Sequence, residues 1–373
     1  MELYEQFKGS LNETIKLRRQ WLSSALIKEG QERHSLYNNF EISEKDYRDK
    51  ILPYWSGYGL EPPKFWFELY GARERVIDPH MIPDDLYYCD IIPYLNNLQF
   101  ADAIKDKSLI DLRLPDVRHA DTVCRRLSGE FYSSTMDLLT EQEAVELCMN
   151  YPETLFIKKS FYTAGGRGIA SIKKDERTKE EISRAFEEMG ANFIVQGKIK
   201  QHPALASLCP SAVNTLRIVT IFLHGKVIAT NRDIRIAHKG YEWISLNSNG
   251  GYCATIYDDG TLDTRIQTEK CEWLSSEDIG LFDRGYVIPG FDKVMNTAKK
   301  LHMKLPHFKL IGWDFTIDES GEPVLIEVNF APGIMPQMTN CMPVFGELTD
   351  WILDDYFIHR TLEKNQVQGL LVQ

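Results

Sequence analysis

Apolar positions open the chain at intervals of four or seven: Leu3, Phe7, Leu11, Ile15, Leu22 and Leu26, with Lys16, Arg18 and Arg19 between them. That period predicts an amphipathic helix lying on a globular body. A membrane-surface helix is the weaker alternative, because the basic cluster is short. Residues 51–100 are dense in aromatics and prolines (LPYWSGYGLEPPKFWFELYG, IPDDLYYCDIIPYLNNL), which predicts packed short helices and turns in preference to an aromatic-binding groove.

From about residue 106 the pattern turns to strands. LFIKKSFYTAGGRGIASIKK reads as two extended runs around a glycine-rich loop, and DERTKEEISRAFEEMGAN as a polar helix closed by Gly190. NFIVQGKI is a strand. NTLRIVTIFLHGKVIATNRDIRI predicts two strands turning at His224-Gly225, and IPGFDKVMNTAKKLHMKL a helix. LIGWDFTIDESGEPVLIEVN predicts a second hairpin. Strand pairs separated by helices argue for an α+β (mixed α/β) fold with antiparallel sheets. No internal repeat and no low-complexity linker is read.

The last hairpin carries the first chemical signal. In VLIEVNFAPG, Glu327 and Asn329 lie two residues apart on one face of an otherwise apolar strand. A loop symmetric about Ser320 and Gly321 sets Ile317 against Val324 and Asp314 against Glu327. Directly opposed residues of an antiparallel pair have Cβ atoms about 4.5–5.5 Å apart. Two carboxylates that close need a proton or a cation between them. Asp314, Glu327 and Asn329 thus form an oxygen-only set suited to Mg²⁺, favoured over chance acidic residues because both carboxylates are flanked by apolar neighbours.

Two further stretches are weaker alone. KKSFYTAGGRG is no P-loop, yet Gly165, Gly166 and Gly168 would let backbone N–H groups approach phosphates, with Lys158 neutralising charge. A simple turn is the default there. Arg217 stands among Leu216, Ile218 and Val219, where an unpaired guanidinium is costly, so a salt bridge and a site role are both open. A regular hairpin sets Arg217 opposite Arg232 and puts Arg235 on the other face; a bulge would reverse that.

Composition narrows the rest. The 373 residues suffice for two or three cores. A net charge of −11 argues against a sequence-independent grip on nucleic acid, so any bound polyanion is small and held locally. Seven scattered cysteines without a CxxC pair suit reduced thiols. With neither a signal-peptide pattern nor a membrane-spanning apolar run, the expectation is a cytoplasmic protein. The nine histidines include no HExxH, and His302 and His307 read as structural.

Taken in order, a strand lysine, a glycine-rich loop, NFIVQGKI, NTLR and a D…E-x-N hairpin resemble the ATP-grasp superfamily, in its sugar-transfer-associated, alpha-L-glutamate-ligase-like branch. The segments IPDDLYYCDIIPYLNN, ADAIKDKSLIDLRLPDV, QHPALASLCPSAVNTLRIVT and NSNGGYCATI are similar too, extending the resemblance over residues 80–350. The resemblance implies two α+β subdomains clasping ATP. On this basis residues 1–105 form a mainly helical, aromatic-rich region, and residues 106–373 an ATP-grasp catalytic domain with its nucleotide lid at 151–200. It implies that Lys158 and Lys107, the latter in the entry strand, contact the nucleotide, and that residues 163–168 close over the phosphates. The strand from Val195 to Ile199, including Gln196 and Lys198, would read adenine.

The resemblance assigns Asp314, Glu327 and Asn329 to magnesium, two ions being expected, and sets Arg217 and Arg235 near the transferred phosphoryl group. The hinge Gln196-Gly197-Lys198 lacks the acidic residue that commonly binds ribose, leaving Gln201 or His202 as substitutes. Asn214, Asn247, Gly250, Gly251 and Gly333 are candidate substrate contacts. The implied activity is an ADP-forming carboxylate–amine ligase acting through an acyl phosphate on small-molecule carboxylates and amines, without nucleic-acid partners. A small-molecule kinase and a nucleotide binder without turnover are the alternatives, and a homodimer is left open.

Overall fold

The computed structural model describes residues 2–37, 40–161, 168–238, 240, 251–268 and 271–363. Contacts divide the chain into two compact units, residues 1–97 with 333–373, and residues 98–332. By this division the C-terminal stretch groups with the N-terminal helices.

The first unit is helical. The helix Glu2–Tyr37 forms as expected, and of the expected apolar stripe Leu22 and Leu26 are half-buried while Ile15 is 46% exposed. The docked side also uses Arg19 with Asp90, Arg33 with Asp84, and Gly30, where a Cβ would stand 2.3 Å from the Trp66 ring. Two segments then share one design that the sequence was not read to repeat. In YRDKILPY and YYCDIIPY a proline follows a wide turn, in which Leu52 N–H bonds to the Tyr47 carbonyl and Ile92 N–H to that of Tyr87, five residues back. Proline cannot donate the regular helical bond, and the wide turn absorbs the mismatch. The equivalent tyrosines, Tyr54 and Tyr94, donate to Asp350 and Asp355 on the helix Thr349–Glu363. Aromatic density here therefore serves packing, as expected.

The second unit holds two antiparallel sheets. The strands are β1 (Thr122–Leu127), β2 (Glu130–Ser133), β3 (Leu138–Leu139), β4 (Leu155–Lys159), β5 (Ile169–Ile172), β6 (Phe193–Gly197), β7 (Thr215–Leu223), β8 (Lys226–Ala237), β9 (Gly251–Ile256), β10 (Leu262–Thr268), β11 (Trp273–Ser275), β12 (Leu310–Ile317) and β13 (Pro323–Asn329). Their order is β3-β2-β1-β6-β4-β5 in one sheet and β11-β10-β9-β8-β7-β12-β13 in the other.

Each sheet buries one apolar face. Cys124, Leu155, Ile157, Phe193 and Val195 pack on the helices Glu141–Asn150 and Lys179–Met189. Thr140 and Glu143 cap the first of these reciprocally, and Gly190, at φ 81°, ends the second. In the larger sheet Leu216, Ile218, Ile234, Trp313 and Phe315 pack on the helix Phe291–His302. His302 belongs to this core: Thr220 Oγ1 bonds to its Nδ1 at 2.7 Å, and its Nε2 donates to the Phe308 carbonyl. Burial pushes its pKa down to about 4, consistent with a neutral structural histidine. No helix among the described residues is long and apolar enough to cross a membrane.

Candidate nucleotide and metal site

Turn chemistry and two bulges decide which side chains share the polar face of the larger sheet. Asp318 Oδ1 accepts from the N–H groups of Ser320 and Glu322, and Gly321 adopts φ 80°, closing the β12–β13 turn. The pairing near the turn sets Thr316, not Ile317, against Val324. One extra residue at Ile326 then restores the expected register, so Asp314 does face Glu327 and Gly312 faces Asn329. In β7–β8, His224 and Gly225 both take positive φ, as a tight hairpin turn requires. A bulge at Thr230 then shifts β8 by one residue. Arg217 therefore opposes Asp233, Arg232 opposes Ile218, and Arg235 returns to the face of Arg217. The regular-hairpin expectation is corrected: one inserted residue exchanges every side chain between faces.

The result is a row of directly opposed residues across five strands: Glu327, Asp314, Arg217, Asp233 and Thr255. Arg217 donates to both Asp314 oxygens, at 2.8 Å from Nη2 to Oδ2, and Asn329 Nδ2 lies 3.3 Å from Asp314 Oδ2. Gly312 makes room for this, since a Cβ there would stand 2.9 Å from Pro332 and 3.6 Å from Arg217 Cδ. Burial works against both ions of the Arg217–Asp314 pair. For Arg217 it is outweighed by Asp314, then by Asp233 and Glu327, so its pKa lies above the ordinary value. For Asp314 it is outweighed by Arg217, then by Arg235 and Lys107, so its pKa lies below.

The smaller sheet supplies Lys158, which lies on the face opposite its helices. Its Nζ donates to Gln196 Oε1 at 3.1 Å. Burial, then the charge of Lys107, pulls its pKa down to about 8, with Glu327 opposing. Lys107 reaches Glu327 at 3.3 Å. It lies in a turn held by Ser160, not in a strand as expected, and Ser108 and Ser160 bond through their hydroxyls. Gly197 is required at the hinge, because a Cβ would collide with the Tyr151 hydroxyl at 1.9 Å.

Other expected residues fall elsewhere. Asn214 is fully buried and its amide donates to the Leu205 carbonyl at 2.6 Å, so it presents nothing to a substrate. His202 Nδ1 accepts from Ala204 N–H at a helix start, and Gln201 bridges Asn214 N–H and the Ala212 carbonyl. Gln201 thus serves the local fold through both ends of its amide, and His202 through Nδ1. Lys198 points to the Ser211 carbonyl, and Ile199 follows in the segment after β6. Gly168 adopts φ 72° and its carbonyl accepts from Lys159 N–H, and Gly251 begins β9 against Ala237. Gly333 belongs to the first unit, 3.7 Å from the Tyr88 hydroxyl by a built Cβ. Gly165, Gly166, Asn247 and Gly250 lie outside the described residues. Sequence reasoning missed Asp233; only the bulge, unreadable in NRDIRI, brings it opposite Arg217.

Among the described residues no group of three His, Cys, Asp or Glu side chains gathers to hold a metal. The candidate set is two opposed carboxylates and an amide, and rotating the Asn329 amide by half a turn presents its oxygen at the same place. Oxygen donors with cationic Lys107 and Arg217 on the carboxylates fit a divalent hard cation whose charge those side chains now match.

This arrangement, two antiparallel α+β sheets with basic and acidic groups on their polar faces, is an ATP-grasp fold. The chain belongs to the sugar-transfer associated ATP-grasp family, whose model matches residues 91–351. Solved structures similar in fold include D-alanyl-alanine synthetase A from Vibrio cholerae, at 15% identity over 68% of this chain and 66% of that one, with a TM-score of 0.41. VanG D-Ala:D-Ser ligase from Enterococcus faecalis is 16% identical over 69% and 62%, at 0.42. Biotin carboxylase from Campylobacter jejuni is 11% identical over 68% and 46%, at 0.44. The chain spans less than two thirds of the length of these proteins. No curated protein matches it by sequence.

Proposed function

We propose that the chain is an ATP- and Mg²⁺-dependent carboxylate–amine ligase working through an acyl phosphate. The observation that carries this reading is the in-register row Glu327–Asp314–Arg217–Asp233, with Lys107 on Glu327 and Lys158 on the smaller sheet. Two opposed carboxylates beside two lysines and two arginines suit a ligand that combines a cation with a polyphosphate.

Asp314, Glu327 and Asn329 would hold Mg²⁺, which would supply neutralisation of charge on the phosphate oxygens. Lys158 and Lys107 bind the nucleotide phosphates, and Gly197 allows the hinge backbone to lie against Tyr151. A carboxylate oxygen of one substrate attacks the γ-phosphorus, and the bond from phosphorus to the ADP oxygen breaks. Arg217 and Arg235 balance charge on the transferring group, so positioning and electrostatics do the work. An amine then attacks the acyl carbon, phosphate leaves, and the amine proton passes to solvent. No side-chain nucleophile is needed. Seven free cysteines fit a reducing compartment, and a cytoplasmic location is part of the proposal.

Release of ADP from MgATP with pooled amino acids and amines, read with mass spectrometry of products, tests the reading. Formation of a hydroxamate when hydroxylamine replaces the amine supports the acyl phosphate. Turnover that yields a stable phosphorylated product and no hydroxamate would replace the ligase with a kinase.

A further inference from the structure

Arg217 and Arg235 share a sheet face yet are held differently. Arg217 spends Nε and Nη2 on the two oxygens of Asp314. Arg235 is anchored through Nε alone, which donates to Asp233 Oδ1 at 3.3 Å, and its terminal nitrogens have no partner among the described residues. Its side chain retains 21% exposure, against 7% for Arg217.

Asp233 is the unusual member of the row. It is fully buried, and among the described residues its Oδ2 has no hydrogen-bond partner. Its Oδ1 accepts from Arg235 and from Cys253 Sγ at 3.4 Å, while Arg217 stands directly opposite and Thr255 lies across on β9. A buried carboxylate is costly, and a sheet face that needed only packing would be more stable with an apolar residue there. Holding a guanidinium by Nε leaves the forked terminal N–H groups facing outward together, the arrangement that grips two oxygens of a phosphoryl or carboxyl group.

We propose that Asp233 is a positioning residue that fixes the Arg235 guanidinium by Nε and turns its terminal nitrogens toward the anionic ligand. Arg217 gives its Nε and Nη2 to Asp314 and acts on the ligand mainly through its charge, whereas Arg235 has terminal donors to give. The identity of the anion, a transferring phosphoryl group, rests on the ligase reading. The positioning itself does not.

Two measurements test this. Hydrogen exchange at Arg235 Nε, followed by NMR in the ligand-free protein, should be slow in the wild type and Asp233→Asn, which keeps an acceptor oxygen. It should quicken at least tenfold in Asp233→Ala. Equal rates in all three would overturn the proposal whether or not the chain binds nucleotide. The second is a double-mutant cycle on kcat/KM for ADP release from MgATP. Asp233→Ala should lose on the order of 10- to 100-fold, as expected when a catalytic group is misplaced. On an Arg235→Ala background the same change should have less than about a twofold further effect, and Asp233→Asn should stay within about threefold of wild type. Additive losses, or Asp233→Asn as impaired as Asp233→Ala with an equally lowered unfolding midpoint, would make Asp233 merely structural. A wild type without MgATP turnover would remove the ligase reading and leave the exchange measurement to decide the positioning.

Discussion

The two sheets of the second unit carry their polar groups in opposite ways. On the larger sheet, charged groups of both signs stand in register, and Arg217 and Asp314 pair with each other before any ligand arrives, while Glu327 is held by Lys107. On the smaller sheet Lys158 donates to a neutral amide and is pulled down to about pKa 8 by burial and by Lys107. The first surface holds its central ion pair with the ligand absent. The second holds a lysine whose charge burial and Lys107 disfavour and a nearby anion would favour. The difference teaches that buried charge on one protein can be a structural element or a ligand-dependent one, and that the partners decide which.

The largest effect expected from breaking this contrast is in Asp314→Ala, which strands Arg217 in the interior. Removing one partner of such a pair costs about 3–5 kcal/mol, so denaturant unfolding should show a marked loss together with abolished ADP release. A variant as stable as wild type would mean that Arg217 is not held by Asp314. Lys158→Met should do the reverse. Its unfolding midpoint should hold or rise, while MgATP affinity, measured by titration calorimetry, should fall by about tenfold or more. Loss of stability without loss of affinity would make the two sheets alike.

A subtler effect concerns pH. The folded pKa of Lys158, about 8, lies below its ordinary value of 10.5. Between these values the unfolded chain holds more protons, so stability rises with pH over that window. Anion binding has the opposite sign: MgATP affinity should be level below pH 8 and decline above it, by at most about tenfold per unit. In Lys158→Met both trends should flatten; an unchanged affinity profile would assign the titration to another group. The smallest change expected is in Glu327→Gln. Its contact with Lys107 is partly exposed, so stability should move by about 1 kcal/mol or less. The Mg²⁺ concentration needed for half-maximal turnover should nevertheless increase several-fold.

Much of this was legible beforehand where local chemistry fixes geometry. ESGEP sets a turn that joins the strands carrying Asp314 and Glu327, although the bulge at Ile326, which the sequence does not show, is what brings the two directly opposite. The wide turns after Tyr47 and Tyr87 were hidden, because a proline signals a break without saying how the helix absorbs it. Asn214 and His202 are ambiguous in sequence for a related reason. A polar side chain reads the same in sequence whether it faces a ligand or closes a buried backbone gap, and here Leu205 and Ala204 supply the gaps.

By itself the sequence determined the strands, the turns and the chemical types available to the site, since period, turn residues and charge are local properties. Which face Arg235 occupies, and that Asp233 stands opposite Arg217, only the tertiary structure decided. A bulge of one residue at Thr230 leaves no mark on alternation that distinguishes it from a regular strand, yet it reverses every side chain that follows.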